Sequence, residues 1–293
     1  MDLENFAEKV KNLIQTQVDG IQDIRIEYQN HVNSKNLGLT IIQNTNISPI
    51  IYLEPYFDDW SAGKPIDDIV KDIIETTFSF APSTDFDTSF VYDYSRVKEH
   101  IVMFLINTEL NQEYMDGCPH KDIEDLSIIY KIQLHTPEIG VGYICVNNEL
   151  MKEWGVTKEE IHQIALENSI TEQRYQVIKY KDIRQFFLPF DFGLKELTLE
   201  SKSPVYSVSN SDFNQGAAAL LYSNALSEIS EKMDDNLYIV PISIHQILIV
   251  SGSENKEQWK NVLECINIIN PNEAFLSNNL YLYDRKSHEI TII

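Results

Sequence analysis

Cysteine, glycine and proline are scarce in this chain of 293 residues, which has three cysteines, ten glycines and ten prolines. Cys118, Cys145 and Cys265 are widely spaced and form no CxxC pair, which argues against a disulfide framework and a zinc ribbon. Glycine and proline are spread along the chain, so no collagen-like or linker-like stretch is expected. We therefore expect a globular protein of a reducing compartment. No Walker A, GxGxxG, HExxH or EF-hand pattern occurs, so we expect no cofactor and no metal.

Basic residues are also few. The chain has 23 Lys and Arg against 45 Asp and Glu, a formal net charge of −22. Binding to nucleic acid requires clustered Lys and Arg that release counterions from phosphates, and binding to an anionic membrane surface requires the same. The composition therefore predicts neither a nucleic-acid partner nor a membrane partner. The acidity also permits a nucleic-acid mimic, although a charge excess usually only keeps a surface hydrated.

Long apolar runs are missing. The longest stretches, near Ile101–Ile106 and Leu237–Val250, are shorter than the roughly 18 residues of a membrane span or are interrupted by polar residues. The opening residues, MDLENFAEKV, lack the basic and apolar regions of a signal peptide. These features predict a cytoplasmic location, and the many Ile, Asn, Lys and Glu residues suggest a bacterial source.

The composition that is present is globular, with 43% hydrophobic and 11% aromatic residues. Helical spacing of apolar residues predicts helices over residues 3–18 and 66–74. Between them, apolar and polar residues alternate in short segments from residue 24 to residue 53. This alternation predicts an antiparallel meander with one buried face.

The middle of the chain is predicted to contain a helix over residues 94–115 and a central strand over 123–134. Thr157 and Glu160 have the spacing of a capping box, in which each side chain satisfies a backbone amide at the start of a helix. Residues 175–200 are strand-like and then irregular.

In the last third of the chain, the apolar segments Leu237–Val240 and Ile244–Val250 are predicted to pair in a sheet. A helix over 217–233 is predicted to cover this sheet. Because regular βαβ alternation is missing, the predicted fold class is α+β, with antiparallel or mixed sheets and several amphipathic helices. We expect a single compact protein over residues 1–293, with halves 1–138 and 139–293 if it divides.

Five segments of the chain resemble the uncharacterised bacterial domain-of-unknown-function 5688 family. They are SPIIYLEPYFDDWSAGKPIDDIVKDI, LINTELNQEYMDGCPHKDIEDLSIIY, NNELMKEWGVTKEEIHQIALENS, NQGAAALLYSNALSEI and VPISIHQILIV. Where that family has a Ser-Ser-Ile-His-Glu-like run, this chain has Ile242 and Gln246 at the first and last positions and keeps Ser243 and His245. The second half more distantly resembles the domain-of-unknown-function 1444 family. Neither resemblance implies an established activity or catalytic residues.

His120, Asp122 and Asp125 form the densest polar cluster beside a predicted buried strand. Imidazole and carboxylate groups can bind metals or act as general bases. Their spacing matches no known motif, however, and carboxylates in such a loop commonly accept hydrogen bonds from turn amides. The turn is the favoured interpretation.

Ser243 and His245 are two residues apart, so a strand would place both side chains on one face. A serine beside a histidine suggests nucleophilic catalysis, but the exposed turn that activates such a serine is missing. The favoured interpretation is a polar pair on a half-exposed strand or a hydrogen-bonded buried histidine.

The leading functional hypothesis is a non-enzymatic protein that acts through protein contacts. The alternatives are a hydrolase-like enzyme with a His/Asp/Ser site, built from His120, Asp122, Asp125, Ser243 and His245, and an acidic nucleic-acid-mimic inhibitor. An enzyme would have to bring these side chains within about 3 Å of one another or of a shared water. We expect no such shared pocket.

Overall fold

The computed structural model describes residues 1–81, 87–136, 140–181, 201–269 and 272–293. Contacts between residues divide the chain into two compact units, Met1–Ser89 and Phe90–Ile293. The predicted α+β class is confirmed, because helices accompany three antiparallel sheets. Among the described residues, no helix combines the length and the apolar character needed to cross a membrane.

The first unit consists of helices around a three-stranded sheet. Its elements are α1 (Leu3–Gln17), β1 (Asp23–His31), β2 (Ser34–Ile42), β3 (Ile50–Tyr52), α2 (Glu54–Ser61) and α3 (Ile66–Phe80). The strands pair antiparallel in the order β1-β2-β3, which confirms the predicted meander. α1 begins after Asp2, whose carboxylate accepts a hydrogen bond from the Asn5 amide at 2.9 Å. Its buried face carries Phe6, Val10 and Ile14, as the helical spacing predicts.

The second unit contains two sheets. Its strands are β4 (Ile101–Asn107), β5 (His120–Ile123), β6 (Leu126–Thr136), β7 (Gly140–Cys145), β8 (Tyr175–Tyr180), β9 (Val205–Asn210), β10 (Leu237–Ser243), β11 (Gln246–Ser251), β12 (Tyr281–Tyr283) and β13 (Ile290–Ile292). β6 pairs with β4 on one side and with β5 and β7 on the other. The six-stranded sheet has the order β13-β12-β10-β11-β9-β8.

The helices of the second unit flank these sheets. They are α4 (Tyr94–Val97), α5 (Gln112–Met115), α6 (Asn148–Trp154), α7 (Lys158–Glu172), α8 (Ala219–Tyr222), α9 (Ala225–Met233) and α10 (Lys256–Ile269). Short 3-10 turns occupy Ser89–Tyr92, Lys98–His100, Glu109–Asn111, Gly216–Ala218 and Asn272–Ala274.

The predicted helix over 94–115 is wrong at its centre, where residues 101–107 form β4 with every side chain buried. A short continuous apolar run cannot be assigned by periodicity alone, because a buried strand and a buried helix give the same pattern. Pairing with β6 decides in favour of the strand. α7 covers the other edge of β4: the Met103 amide donates to Ser169 Oγ at 3.0 Å, and Asn168 Nδ2 donates to the Ile101 carbonyl at 2.9 Å.

The predicted strand over 123–134 is the second half of a hairpin. β5 and β6 are joined by a turn in which Glu124 has a φ of 55°. β6 then pairs with β7, residue by residue. The boundary between the expected halves 1–138 and 139–293 falls between these two strands in the sequence. That boundary lies outside the described residues, as does the 182–200 part of the segment expected to be irregular.

The predicted pairing of Leu237–Val240 with residues 244–250 is confirmed, since β10 and β11 are antiparallel neighbours. The predicted helix over 217–233 is divided into a 3-10 turn, α8 and α9. Both faces of the β10–β11 pair are covered. Val240 and Leu248 pack with Trp259 of α10, whereas Ile239 and Ile247 share an apolar lining with Leu220 and Leu221 at α8.

Candidate functional site

Asp125 lies in the turn between β5 and β6 and joins this turn to the six-stranded sheet. Its carboxylate accepts hydrogen bonds from the Ser277 hydroxyl at 2.7 Å, from Asn279 Nδ2 at 3.0 Å and from the Tyr281 hydroxyl. Burial, followed by the bond to Asp125, raises the pKa of Tyr281, so the phenol stays protonated and remains a donor. These bonds give Asp125 a structural role.

His120 and Asp122 lie together on β5. His120 Nδ1 is 3.0 Å from the Cys118 carbonyl, which can only accept, so Nδ1 carries a proton. His120 Nε2 is 4.0 Å from Asp122 Oδ1, and that oxygen accepts a hydrogen bond from the Ser127 hydroxyl at 2.7 Å. Both side chains are partly exposed, and their separation is long for a polar contact.

Ser243 and His245 lie at the turn between β10 and β11. Ser243 is buried, and its Oγ accepts a hydrogen bond from the His245 backbone amide at 3.2 Å. His245 Nδ1 accepts one from the Gln215 backbone amide at 3.1 Å. Burial lowers the pKa of His245, which favours the neutral ring that this bond requires. The serine and the histidine ring therefore bond to backbone amides.

The structure brings His120 to Asp122 and the backbone of His245 to Ser243, but it gives Asp125 and the His245 ring other partners. Asp125 bonds to the 277–281 segment, while the ring of His245 bonds to Gln215. The expectation that His120 and His245 do not share a catalytic pocket stays a prediction. Within the described ranges, no group of three or more His, Cys, Asp or Glu residues is arranged to hold a metal ion.

A thiol pair near His120 was not predicted from the sequence. Cys118 Sγ and Cys145 Sγ are 3.6 Å apart, and both residues are partly exposed. Cys118 follows Gly117, whose φ of +76° turns the chain after α5; the Cys118 amide donates to the Met115 carbonyl at 2.8 Å. Cys145 is the last residue of β7. The loop and the strand together bring the two sulfur atoms into contact.

Lys131 on β6 lies directly opposite Cys145 in the strand register, so both side chains are on one face of the sheet. The Lys131 side chain is buried between aromatic residues. Its Nζ lies 4.8 Å from the centre of the Phe104 ring and 5.8 Å from that of Tyr114, and it donates to Gln215 Oε1 at 3.3 Å. A cation thus lies on the thiol face of the sheet.

Gly216 permits Gln215 to reach both Lys131 and His245. A side chain at Gly216 would lie 2.3 Å from Ser209 Oγ and 2.4 Å from the Asn210 amide. This close approach to β9 fixes Gln215, whose amide donates to His245 while its side chain binds Lys131. This close approach explains why a glycine stands at position 216 in the NQGA stretch of the segment that resembles the family.

The two thiols have opposite shifts in pKa. The pKa of Cys145 falls from 9.0 to about 7, because Cys118 donates a hydrogen bond to it, the Tyr114 hydroxyl donates another, and the Lys131 charge is near; burial opposes this shift. The pKa of Cys118 is raised, chiefly because it donates that bond. The pKa of Lys131 is lowered by burial. Near neutral pH, the lowered pKa of Cys145 gives it a substantial fraction of thiolate, the nucleophilic form of cysteine.

One signal in the sequence points to this site. Lys131 interrupts the apolar run LSIIYKIQL, and a lysine in a buried strand requires compensation. The identity of its neighbours is not encoded locally, because Cys118 and Cys145 are far apart along the chain and meet only through the pairing of β6 with β7.

The chain belongs to a family whose function is not known. The model of the family of unknown function DUF5688 matches residues 3–285, which confirms the first of the two resemblances. No curated protein and no solved structure matches the chain.

Proposed function

We propose that this chain is a non-enzymatic cytoplasmic protein that acts through contacts with another protein, and that β8 makes those contacts. The proposal is carried by the position of β8 at the edge of the six-stranded sheet. Among the described residues, β8 pairs with β9 alone. The edge of β4 that does not pair with β6, in contrast, is covered by α7 through Ser169 and Asn168.

A strand at the edge of a sheet can pair through its backbone with another extended segment. Tyr175 and Val177, which point to the same face of β8, are 37% and 38% exposed. They provide apolar and aromatic surface for alternate side chains of such a segment. Because the chain has a net charge of −22, we propose that the partner segment is extended and carries basic residues, which favours rapid and selective association.

The hydrogen bonds of the predicted polar residues also favour a binding protein over a hydrolase. The Asp125 carboxylate is occupied by three donors, while Ser243 Oγ accepts from a backbone amide. A nucleophilic serine needs its hydroxyl directed toward a base, and among the described residues the hydrogen bond of Ser243 Oγ is with the His245 backbone and not with its ring.

Site-specific photo-crosslinking in cells tests this proposal. A photoreactive amino acid at position 177 should capture one protein, whereas the same amino acid at Ile268, an exposed residue of α10, should not. The captured protein is then purified, and its binding is measured with the Val177→Asp and Ile268→Asp variants. Val177→Asp should weaken binding at least tenfold, and Ile268→Asp should leave it unchanged.

Three results would replace the proposal. Equal effects of the two variants would place the interface elsewhere. Hydrolysis of ester, peptide or phosphate substrates by the purified chain, abolished by Ser243→Ala or His245→Ala, would establish the hydrolase-like enzyme. A captured nucleic-acid-binding protein that is displaced by duplex DNA would establish the nucleic-acid mimic.

A further inference from the structure

We propose that Cys118 and Cys145 form a reversible intramolecular disulfide, with a low-molecular-weight disulfide as the oxidant and Cys145 as the attacking thiol. This redox site is independent of the proposed contacts of β8. It is carried by the contact between the two sulfur atoms and by the cation placed opposite one of them.

The geometry requires only a small movement. A disulfide bond is about 2 Å long, and the sulfur atoms are 3.6 Å apart, so they must approach by roughly 1.6 Å. Cys118 lies in a loop next to Gly117, where the backbone can adjust more easily than in β7. Both cysteines are partly exposed, which gives a small oxidant access to them.

Lys131 is a positioning residue for the thiolate. It is only 7% exposed, and a buried ammonium is unfavourable unless an anion or strong acceptors accompany it. Its hydrogen-bond partner, the Gln215 side chain, is neutral. The Cys145 thiolate, directly opposite Lys131 in the register, supplies the compensating negative charge. The hydrogen bond from Cys118 is the main cause of the lowered pKa of Cys145, and the nearby Lys131 charge lowers it further.

The chemistry proceeds by two thiol–disulfide exchanges. The Cys145 thiolate attacks one sulfur of the oxidant, its S–S bond breaks, and one small thiolate leaves and takes up a proton from water. Cys118 then loses its proton to water and attacks the Cys145 sulfur of the mixed disulfide. The Cys118–Cys145 bond forms and the second small thiol leaves. The two protein thiols are oxidised by two electrons, and the small disulfide is reduced to two thiols.

The full chain equilibrated in glutathione redox buffers tests the proposal. Free thiols are counted after denaturation, and tryptic peptides are mapped by mass spectrometry. Cleavage after lysine and arginine places Cys118, Cys145 and Cys265 on three separate peptides, because Lys121, Lys131 and Lys152 lie between or beside them. Oxidised wild-type protein should retain one of its three thiols, and the Cys118 and Cys145 peptides should be linked.

Variants provide matched controls. Cys265→Ala should form the same disulfide, whereas Cys118→Ala and Cys145→Ala should form no intramolecular bond. Dithiothreitol should restore all three thiols of the wild type. The proposal is overturned if the wild type keeps three thiols over the whole buffer range, or if Cys265 is one of the linked residues. The wild-type peptide map decides this even if a variant fails to fold.

Alkylation by iodoacetamide tests the assignment of Cys145 as the attacking thiol. The rate of modification of each cysteine is followed by peptide mapping as a function of pH, with Cys265 as an internal reference. The midpoint for Cys145 should lie near pH 7. It should rise in Lys131→Gln but not in Lys121→Gln, which removes a charge from an exposed position on β5. A midpoint that is unchanged in Lys131→Gln, or equal to that of Cys118, would overturn the assignment.

Discussion

At the scale of single residues, the Asp125 carboxylate links a hairpin turn to a distant segment. Its three donors are Ser277, Asn279 and Tyr281, which lie 152, 154 and 156 residues further along the chain. The sequence interpretation gave the carboxylate of Asp122 or Asp125 to turn amides, whereas the donors to Asp125 are side chains of the 277–281 segment. Local sequence could not identify these donors, since they lie more than 150 residues further along the chain.

Replacement of Asp125 tests this link. Asp125→Ala leaves the Ser277 and Tyr281 hydroxyls without their acceptor, and we expect the free energy of unfolding to fall by about 2–4 kcal/mol. The comparison is Asp122→Ala, a more exposed carboxylate with one bond to Ser127, which should cost less than about 1 kcal/mol. Urea denaturation followed by fluorescence measures both, and equal losses would contradict the structural role of Asp125.

His245 gives the stability a dependence on pH. Burial lowers its pKa, whereas in the unfolded chain it is about 6.5. As the pH falls, the unfolded chain therefore binds the proton first, and stability present above about pH 6.5 is lost as the pH falls towards the folded pKa. The stability advantage of the wild type over His245→Asn should shrink from about pH 8 to about pH 5.5.

Chemical denaturation at several pH values measures this difference. His245→Asn retains an acceptor for the Gln215 amide, so the comparison isolates the titrating ring from the hydrogen bond. An advantage that stays constant or grows as the pH falls would show that the ring is not held neutral in the folded chain.

At the scale of elements, the capping box could be predicted from the sequence because all of its groups lie within four consecutive residues. Thr157 Oγ1 accepts a hydrogen bond from the Glu160 amide at 3.2 Å, and Glu160 Oε2 accepts one from the Thr157 amide at 2.7 Å. The prediction is confirmed, and α7 begins at Lys158. This helix also covers the edge of β4, so its start affects the packing of a buried strand.

Thr157→Ala should destabilise the second unit by about 1 kcal/mol, the usual cost of losing such a cap. The neighbouring Glu159→Ala, which leaves both bonds of the box intact, should cost less than about 0.5 kcal/mol. Hydrogen exchange of the amides in α7 and β4 measures the effect locally. Equal exchange in the two variants would mean that the box does not hold the helix.

β4 shows where local patterns fail. The apolar run IVMFLIN is compatible with a buried helix or a buried strand, and the helix was the wrong choice. Its hydrogen bonds go to β6, and Asn107 at its end donates to the Leu276 carbonyl at 3.1 Å. Such partners lie beyond any sequence window, and they decide the conformation.

At the scale of the whole molecule, charge is the property that the composition fixes directly. A net charge of −22 repels phosphates. At physiological ionic strength, salt screens this repulsion beyond about 8 Å. We expect no measurable binding to duplex DNA at about 0.15 M salt. Fluorescence anisotropy with a labelled duplex checks this, and a dissociation constant of about 1 μM or lower would contradict it.

The amino-acid sequence by itself determined the features that depend on composition or on neighbours along the chain. These are the acidic charge, the α+β class, the meander of β1 to β3, the capping box at Thr157 and membership of a family of unknown function. Each arises from side-chain periodicity, local hydrogen bonds or the sum of charges, so a short window or a simple count contains the necessary information.

Tertiary structure alone decided the features that depend on distant pairing. The register of β6 with β7 places Lys131 opposite Cys145, and the turn at Gly117 brings Cys118 to 3.6 Å from it. The burial that shifts the pKa of these groups, and the edge position of β8, exist only once the sheets have formed. Contacts between residues far apart in the sequence thus create the thiol pair and, among the described strands, place β8 at the edge of its sheet.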